Sequence, residues 1–265
     1  METIARFQNV AVTLQGRPIL KNIQFEMKRG QQWALIGLNG SGKTTLLNIL
    51  AAYQFPSNGT VEVLGETFGK TYIPDLRKKI GFVSNALERF SDYYRNDSIE
   101  RVILSGKHSS FGIYEEITKE DEAEAIQLLK QFRIAQYAGK KFHELSEGEK
   151  RRVLIARSLM SHPDILILDE PCSGLDILAR EQFLQSLEVV IARGCHIIYV
   201  THHIEEVMPH MTHAVLLKEG EIIAQGEKKE VLTAKRLSET FNTPVSVTWH
   251  AERPYVTVNG PVQLP

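Results

Sequence analysis

The chain has 265 residues, 43% hydrophobic and 24% charged, a balance that suits a folded globular protein and excludes disordered, collagenous and disulfide-rich scaffolds. Its 31 Lys and Arg against 32 Asp and Glu leave a formal net charge of -1, so no global basic field exists to hold nucleic acid, and no nucleic-acid partner is expected. Apolar runs such as Ile165 to Leu168 are far shorter than the roughly 18 residues of a spanning helix, and with no basic-then-apolar leader and only Cys172 and Cys195, a cytosolic chain with free thiols is expected.

Residues 6–14 and 19–28 alternate apolar and polar side chains (Phe7, Val10, Val12, Leu14; Ile19, Ile23, Phe25, Met27) around Gly16 and Pro18, which predicts an opening antiparallel β layer. Trp33 to Ile36 is a short apolar strand. It runs into Gly37 to Gly42, and a helix starts near Lys43 with Leu46, Leu47, Ile49 and Leu50. Gly37-Leu38-Asn39-Gly40-Ser41-Gly42-Lys43-Thr44 fits G-x-x-x-x-G-K-[ST]. In that pattern glycines let backbone N–H groups turn toward phosphate oxygens, and the new helix aims its positive end at them. Lys43 adds a mobile charge, and the Thr44 hydroxyl, followed by Thr45, suits Mg²⁺. A nucleoside triphosphate is the expected ligand.

Further short strands are predicted at 60–64 and 79–84, then a polar helical stretch from about Ser98 to Tyr137 with EDEAEAIQLLKQF as its clearest helix. From Ser146 the pattern alternates: helix 147–160, strand 165–168, helix 178–192, strand 196–200, a short helix after His202 and strand 213–217, which reads as βαβ units on a mostly parallel sheet. A helix over Lys235 to Phe241 and a terminal hairpin, 245–250 with 254–258, close the chain. Ile165 to Leu168 ends in Asp169-Glu170, which carries two carboxylates out of a buried strand to the sheet edge where ligands bind. Asp169 would hold Mg²⁺ through water, and Glu170 would orient and polarise the attacking water.

Leu145-Ser146-Glu147-Gly148-Glu149, with Ser146 placed 23 residues before Asp169, resembles the LSGGQ-type signature of ABC ATPases. Cys172-Ser173-Gly174-Leu175-Asp176 is similar to the D-loop of that family, and Val200-Thr201-His202 to its switch histidine. Family membership implies an α/β P-loop NTPase: a mostly parallel central sheet, an N-terminal antiparallel β layer and a helical subdomain. A single domain over 1–265 is expected, with a core of about 1–84 and 161–218, helices over about 85–160 and a C-terminal extension from about 219. The resemblance also implies ATP and Mg²⁺ as ligands and a head-to-tail homodimer with each ATP between one phosphate loop and the partner's signature. Gly37, Asn39, Gly40, Ser41, Gly42, Lys43, Thr44 and Thr45 would then hold the nucleotide. Ser146, Gly148 and Glu149 would surround the facing γ-phosphate, Asp176 would cross the interface, and His202 would join Glu170 as a catalytic residue. Thr44, Asp169 and Asn85 would be the metal set. Asn85 stands where the family usually has Gln, Glu147 where it has Gly, Glu149 where Gln is common, and Leu14 where an aromatic ring usually stacks on adenine.

The function so implied is the ATP-hydrolysing subunit of an ABC transporter, bound to a separate integral membrane permease on the cytoplasmic face and served by a substrate-binding protein if it imports. Leu237 to Val245 (L-S-E-x-F-x-x-P-V) resembles importers of metal chelates or oxyanions. Soluble ABC ATPases of DNA repair or translation usually carry a long coiled coil or two fused cassettes, which this sequence lacks, and the signature argues against a P-loop kinase. Pro209 and the spacing argue against a metal cluster in THHIEEVMPHMTH. Cys172 has no partnered base and is not expected to be a nucleophile. Lys228-Lys229 and Lys140-Lys141 read as solvated charges. Tyr93, Tyr94, Phe111 and Tyr114 read as local core or, alternatively, as part of a partner groove.

Overall fold

In the computed structural model, which describes residues 2–84, 91–108 and 116–260, the alternating segments form strands β1 (Thr3–Leu14) and β2 (Arg17–Lys28), paired antiparallel. Phe7, Val10, Val12, Ile23, Phe25 and Met27 point into the core as expected. The inward position expected of Ile19 is taken by Leu20. Asn22 has φ 46°, and the pairing shifts between Val10 and Val12, so a bulge offsets the alternation by one residue. Strands β4 (Asn58–Val63) and β5 (Glu66–Thr67) extend this layer in the order β2-β1-β4-β5.

The chain divides into two units, Met1–Leu76 with Ile198–Pro265 and Arg77–Ile197. In the first, β3 (Trp33–Ile36) lies between β8 (His196–Thr201) and β9 (His213–Lys218), parallel to both. Strand β10 (Glu221–Glu227) pairs antiparallel with β9. Every residue of β3 and β8 is buried, which is why Trp33 to Ile36 and Ile197 to Val200 read as unbroken apolar runs. Ile36 pairs with Thr201, so β3 and β8 end side by side and the chain leaves them just before Gly37 and His202, while β9, whose Leu216 also pairs with Ile36, runs on to Lys218. Helix α1 (Lys43–Leu50) follows the glycine loop. The C-terminal part adds α8 (Lys228–Val231), α9 (Ala234–Phe241) and the hairpin β11 (Val245–His250) with β12 (Arg253–Val258).

The second unit holds the parallel pair β6 (Ile80–Ser84) and β7 (Ile165–Asp169), in register Ser84 with Asp169. Short helices α2 (Ile73–Lys78), which leads in from the first unit, and α3 (Ser91–Tyr94) precede α4 (Ile99–Leu104), α5 (Lys119–Gln131), α6 (Glu147–Leu159) and α7 (Ile177–Ala192). The helical stretch expected from Ser98 is broken after Leu104, where the chain tightens into a 3₁₀ turn over Ser105–His108. A Cβ on Gly106 would stand 1.8 Å from the Arg157 carbonyl oxygen, so close packing against α6 sets the backbone there. The fold is thus α/β, with a mostly parallel sheet, an antiparallel β layer and helices, as the sequence implies.

Candidate functional site

The glycine loop begins where β3 ends, and its shape is fixed by crowding. A Cβ on Gly37 would lie 2.4 Å from the Leu217 carbonyl oxygen, and one on Gly42, at φ 105°, would lie 2.7 Å from Leu20 Cδ2. Gly42 is the N-cap of α1 and has no side chain to occupy the helix N–H groups, which leaves them directed at the loop's concavity. Lys43 is buried, and its Nζ donates to the carbonyls of Gly37 at 2.9 Å and Leu38 at 3.1 Å. This stows the ammonium inside the loop, next to where phosphate oxygens would replace those carbonyls. Ser41 is buried, Thr45 half-buried, and Asn39, Gly40 and Thr44 are exposed. A cavity of about 220 Å³ flanks the loop's outer side between Leu38, Gly40, Ser41, Lys218, Thr240 and Asn242. On the neighbouring strand His202 is exposed one residue beyond Thr201, and its ring centroid lies 4.2 Å from that of His203.

Leu14, at the β1–β2 turn, is 47% exposed. Phe7 is 1% exposed, with its ring centroid 5.9 Å from that of Phe25, so it is core and cannot cover a base. Base–aromatic stacking contributes about 1–3 kcal/mol, and a leucine supplies dispersion without the π face. Wild-type protein should therefore bind GTP nearly as well as ATP, and Leu14→Tyr should tighten ATP binding several-fold in a fluorescent-nucleotide titration. A strong wild-type preference for ATP at low micromolar strength would sink this reading of Leu14.

In the second unit Asp169 and Glu170 are half-buried where β7 ends, and Glu170 has φ 50°, a left-handed conformation unusual away from glycine. The turn that follows is closed by Ser173 N–H donating to the Glu170 carbonyl at 3.2 Å and by Leu175 N–H donating to that of Cys172 at 3.1 Å. Arg151 of α6, itself buried, donates to the Pro171 carbonyl and so ties the signature helix to the acidic turn. Ser146 caps α6 in a capping box: its hydroxyl accepts from Glu149 N–H at 3.4 Å, and the Glu149 carboxylate accepts from Ser146 N–H at 2.8 Å. Burial opposes ionisation of Glu149, but hydrogen bonds from Tyr137 and Ser146 and the nearby Arg152 charge outweigh it and keep its pKa below the ordinary carboxylate value. Gly148 faces α7, where an added Cβ would lie 3.0 Å from that of Ala179, and Asp176 caps α7 through Ala179 N–H at 2.8 Å. The unit thus ties Ser146, Gly148, Glu149, Glu170 and Asp176 to one helix-and-turn framework. Asn85, the remaining expected metal residue, lies outside the described residues, as do Phe111 and Tyr114.

Other candidates have structural partners. His213 shares hydrogen bonds with Gln31 and Thr212 and stacks near Trp33, while burial and the Lys228 charge push His210 down to about 4. No group of three or more His, Cys, Asp or Glu able to hold a metal occurs among the described residues. Both cysteines are buried and outside any disulfide, and burial pushes the Cys195 thiol up to about 12. Tyr94 is core, packed edge-on to Phe142 at 6.2 Å, and Tyr93 is exposed. Lys228, expected in solvent, is instead buried and donates to three carbonyls. None of the helices among the described residues is long and apolar enough to cross a membrane.

A strand–glycine loop–helix unit with a lysine stowed in the loop defines a P-loop nucleotide-binding protein. The chain belongs to the ABC transporter family, whose model matches residues 20–173. It is 45% identical over 262 residues to an ABC transporter ATP-binding protein from Bacillus subtilis, YlmA, covering 98% of each chain. It is 31% identical to a hemin import ATP-binding protein from Streptomyces coelicolor, over 94% of this chain and 87% of that one. A dimeric ATP-binding cassette in a post-hydrolysis state, bound to ADP and phosphate, superposes with TM-score 0.68 and 26% identity over 84% of this chain and 98% of that one. Proteins named for export are also among the matches. The protein is an ABC transporter ATP-binding subunit.

Proposed function

We propose that this subunit hydrolyses ATP to power import through a separately encoded membrane permease, as a head-to-tail homodimer on the cytoplasmic face. The observation that carries hydrolysis is the shared strand edge of the first unit, where the phosphate loop leaves Ile36 and the switch histidine leaves its register partner Thr201. Gly40, Gly42 and Lys43 hold the β- and γ-phosphates, with Gly37, Asn39, Ser41, Thr44 and Thr45 completing the cradle, and His202 contacts the γ-phosphate. Glu170 orients a water whose oxygen bonds to the γ-phosphorus as the bond to the bridging oxygen breaks. The electron pair leaves with ADP, and the water proton passes to the Glu170 carboxylate.

The exposed Thr44 hydroxyl and the half-buried Asp169 carboxylate are hard oxygen donors that suit Mg²⁺, with Asn85 as the third member of the set. When bound, Mg²⁺ neutralises charge on the phosphates. Import is supported by the hemin import relative and by the Leu237 to Val245 segment, and a substrate-binding protein would then deliver the cargo. The test is to identify the proteins encoded beside it and to coexpress the chain with any multi-span permease among them, reading complex formation and ATP-dependent uptake into vesicles. A nuclease or ribosomal factor as the encoded neighbour, with no permease captured, would overturn it.

In the proposed dimer the partner's γ-phosphate approaches the N-terminus of α6, where the Glu149 carboxylate is ionised. Glutamine closes the same capping box without the charge. Glu149→Gln should lower the ATP concentration for half-maximal dimerisation by a few-fold, with the melting temperature unchanged. An unchanged midpoint in light scattering would place Glu149 away from the phosphate.

A further inference from the structure

The turn that carries His202 is fastened from two sides by residues that the phosphate chemistry does not use. Glu206, buried beneath the 3₁₀ turn Ile204–Glu206, accepts from the Thr201 hydroxyl at 2.6 Å and from the Tyr199 hydroxyl at 2.9 Å. Thr201 Oγ1 in turn accepts from His203 N–H at 2.9 Å. His202 therefore sits between a residue locked into β8 and an amide pinned through Thr201 to a buried carboxylate. On the outer side Arg253, the first residue of β12, donates from Nε to the Glu205 carbonyl. Lys228 Nζ donates to the carbonyls of Met208 at 3.1 Å and Pro209 at 2.9 Å, and to that of Glu252 in the hairpin turn at 3.0 Å. Ala251 and Glu252, at φ 47° and 63°, make the tight turn that presents both Arg253 and the Glu252 carbonyl to this segment. Lys229 ties the same turn down through an ion pair with Glu252 at 2.8 Å.

We infer that Glu206, Lys228 of α8 and Arg253 of the C-terminal hairpin form a clamp that positions His202 for the γ-phosphate. The hairpin thus serves the catalytic apparatus through the position it gives His202. This rests on the switch role proposed for His202. In the segment after His202, the carbonyl of residue 205 is held by Arg253 of the hairpin and those of 208 and 209 by Lys228 of α8, and the amide of residue 203 is held by Thr201. Releasing either side lets the histidine backbone shift, and displacements of about an ångström at a reacting group cost up to 10²-fold in rate. The phosphate loop starts from a different strand and keeps its own contacts, so ground-state nucleotide binding is separate from the clamp.

The test uses the full chain with Arg253→Ala, Glu206→Ala, Glu206→Gln, His202→Ala and the double variant Arg253→Ala/His202→Ala, measuring kcat, KM for ATP, nucleotide Kd and melting temperature. Arg253→Ala and Glu206→Ala should each lower kcat about tenfold and leave KM and Kd within about twofold. Glu206→Gln should stay close to wild type, since its amide oxygen accepts both hydroxyls. Added to His202→Ala, Arg253→Ala should cost less than about twofold more, because the residue it positions is already gone. A slow His202→Ala beside folded Arg253→Ala and Glu206→Ala at wild-type kcat would overturn the clamp alone. An undiminished loss in the double variant would also overturn it. His202→Ala turning over like wild type would overturn the switch role itself.

Discussion

Lys43→Ala is expected to reduce ATP hydrolysis by about 10²–10³-fold, the scale seen when one preorganised charge or donor is removed from a transition state. The ammonium is buried in the loop on the Gly37 and Leu38 carbonyls, so its charge is already desolvated and oriented before nucleotide arrives. Alanine is the best residue for a helix, and position 43 opens α1, so the helix itself should survive. The loss should fall on kcat and on nucleotide affinity together, because in the proposed site Lys43 faces the phosphates in both ground and transition states. A phosphate-release assay with a parallel nucleotide titration checks this. Near-normal turnover in a folded Lys43→Ala protein would refute the assignment of the loop.

The glycine loop was legible because its chemistry is local: eight consecutive residues specify a turn, a dipole and a charge, flanked by an apolar strand and an amphipathic helix. The acidic end of β7 was legible for the same reason. What the sequence hid depends on contacts between distant residues. Ile19 and Leu20 exchange roles because a bulge at Asn22, which alternation does not signal, shifts the pairing with β1. The helical stretch from Ser98 breaks because Gly106 must lie against Arg157, about fifty positions away. Lys228 passes for a solvated charge beside Lys229 until the fold sets the Met208, Pro209 and Glu252 carbonyls around it. Arg253 reaches Glu205 across 48 positions, and no local pattern marks either residue.

Glu170→Gln should leave ATP binding intact while hydrolysis falls by about 10²–10⁴-fold, the range of a positioned general base. The substitution keeps shape and volume, so the left-handed turn at position 170, closed by Ser173 N–H and braced by Arg151 on the Pro171 carbonyl, has no steric reason to change. The phosphate loop lies on other elements and is untouched. On the proposed mechanism, what is removed is the anion that accepts the proton from water, because an amide oxygen orients a donor but cannot take its proton at neutral pH. Binding without turnover then separates two consequences of ATP that hydrolysis normally keeps in balance. Each γ-phosphate should go on joining the phosphate loop of one subunit to the Ser146 helix end of the other. The variant should therefore accumulate as an ATP-bound dimer in which both signature helices are occupied. Size-exclusion chromatography with light scattering, with and without ATP and Mg²⁺, should show a monomer that converts to a dimer only with ATP. Conversion should fail when His202→Ala or Lys43→Ala is added, since both remove contacts to the same phosphate. A Glu170→Gln protein that stays monomeric while a titration shows ATP bound would refute the head-to-tail arrangement, and one that still hydrolyses ATP at the wild-type rate would take the base away from Glu170.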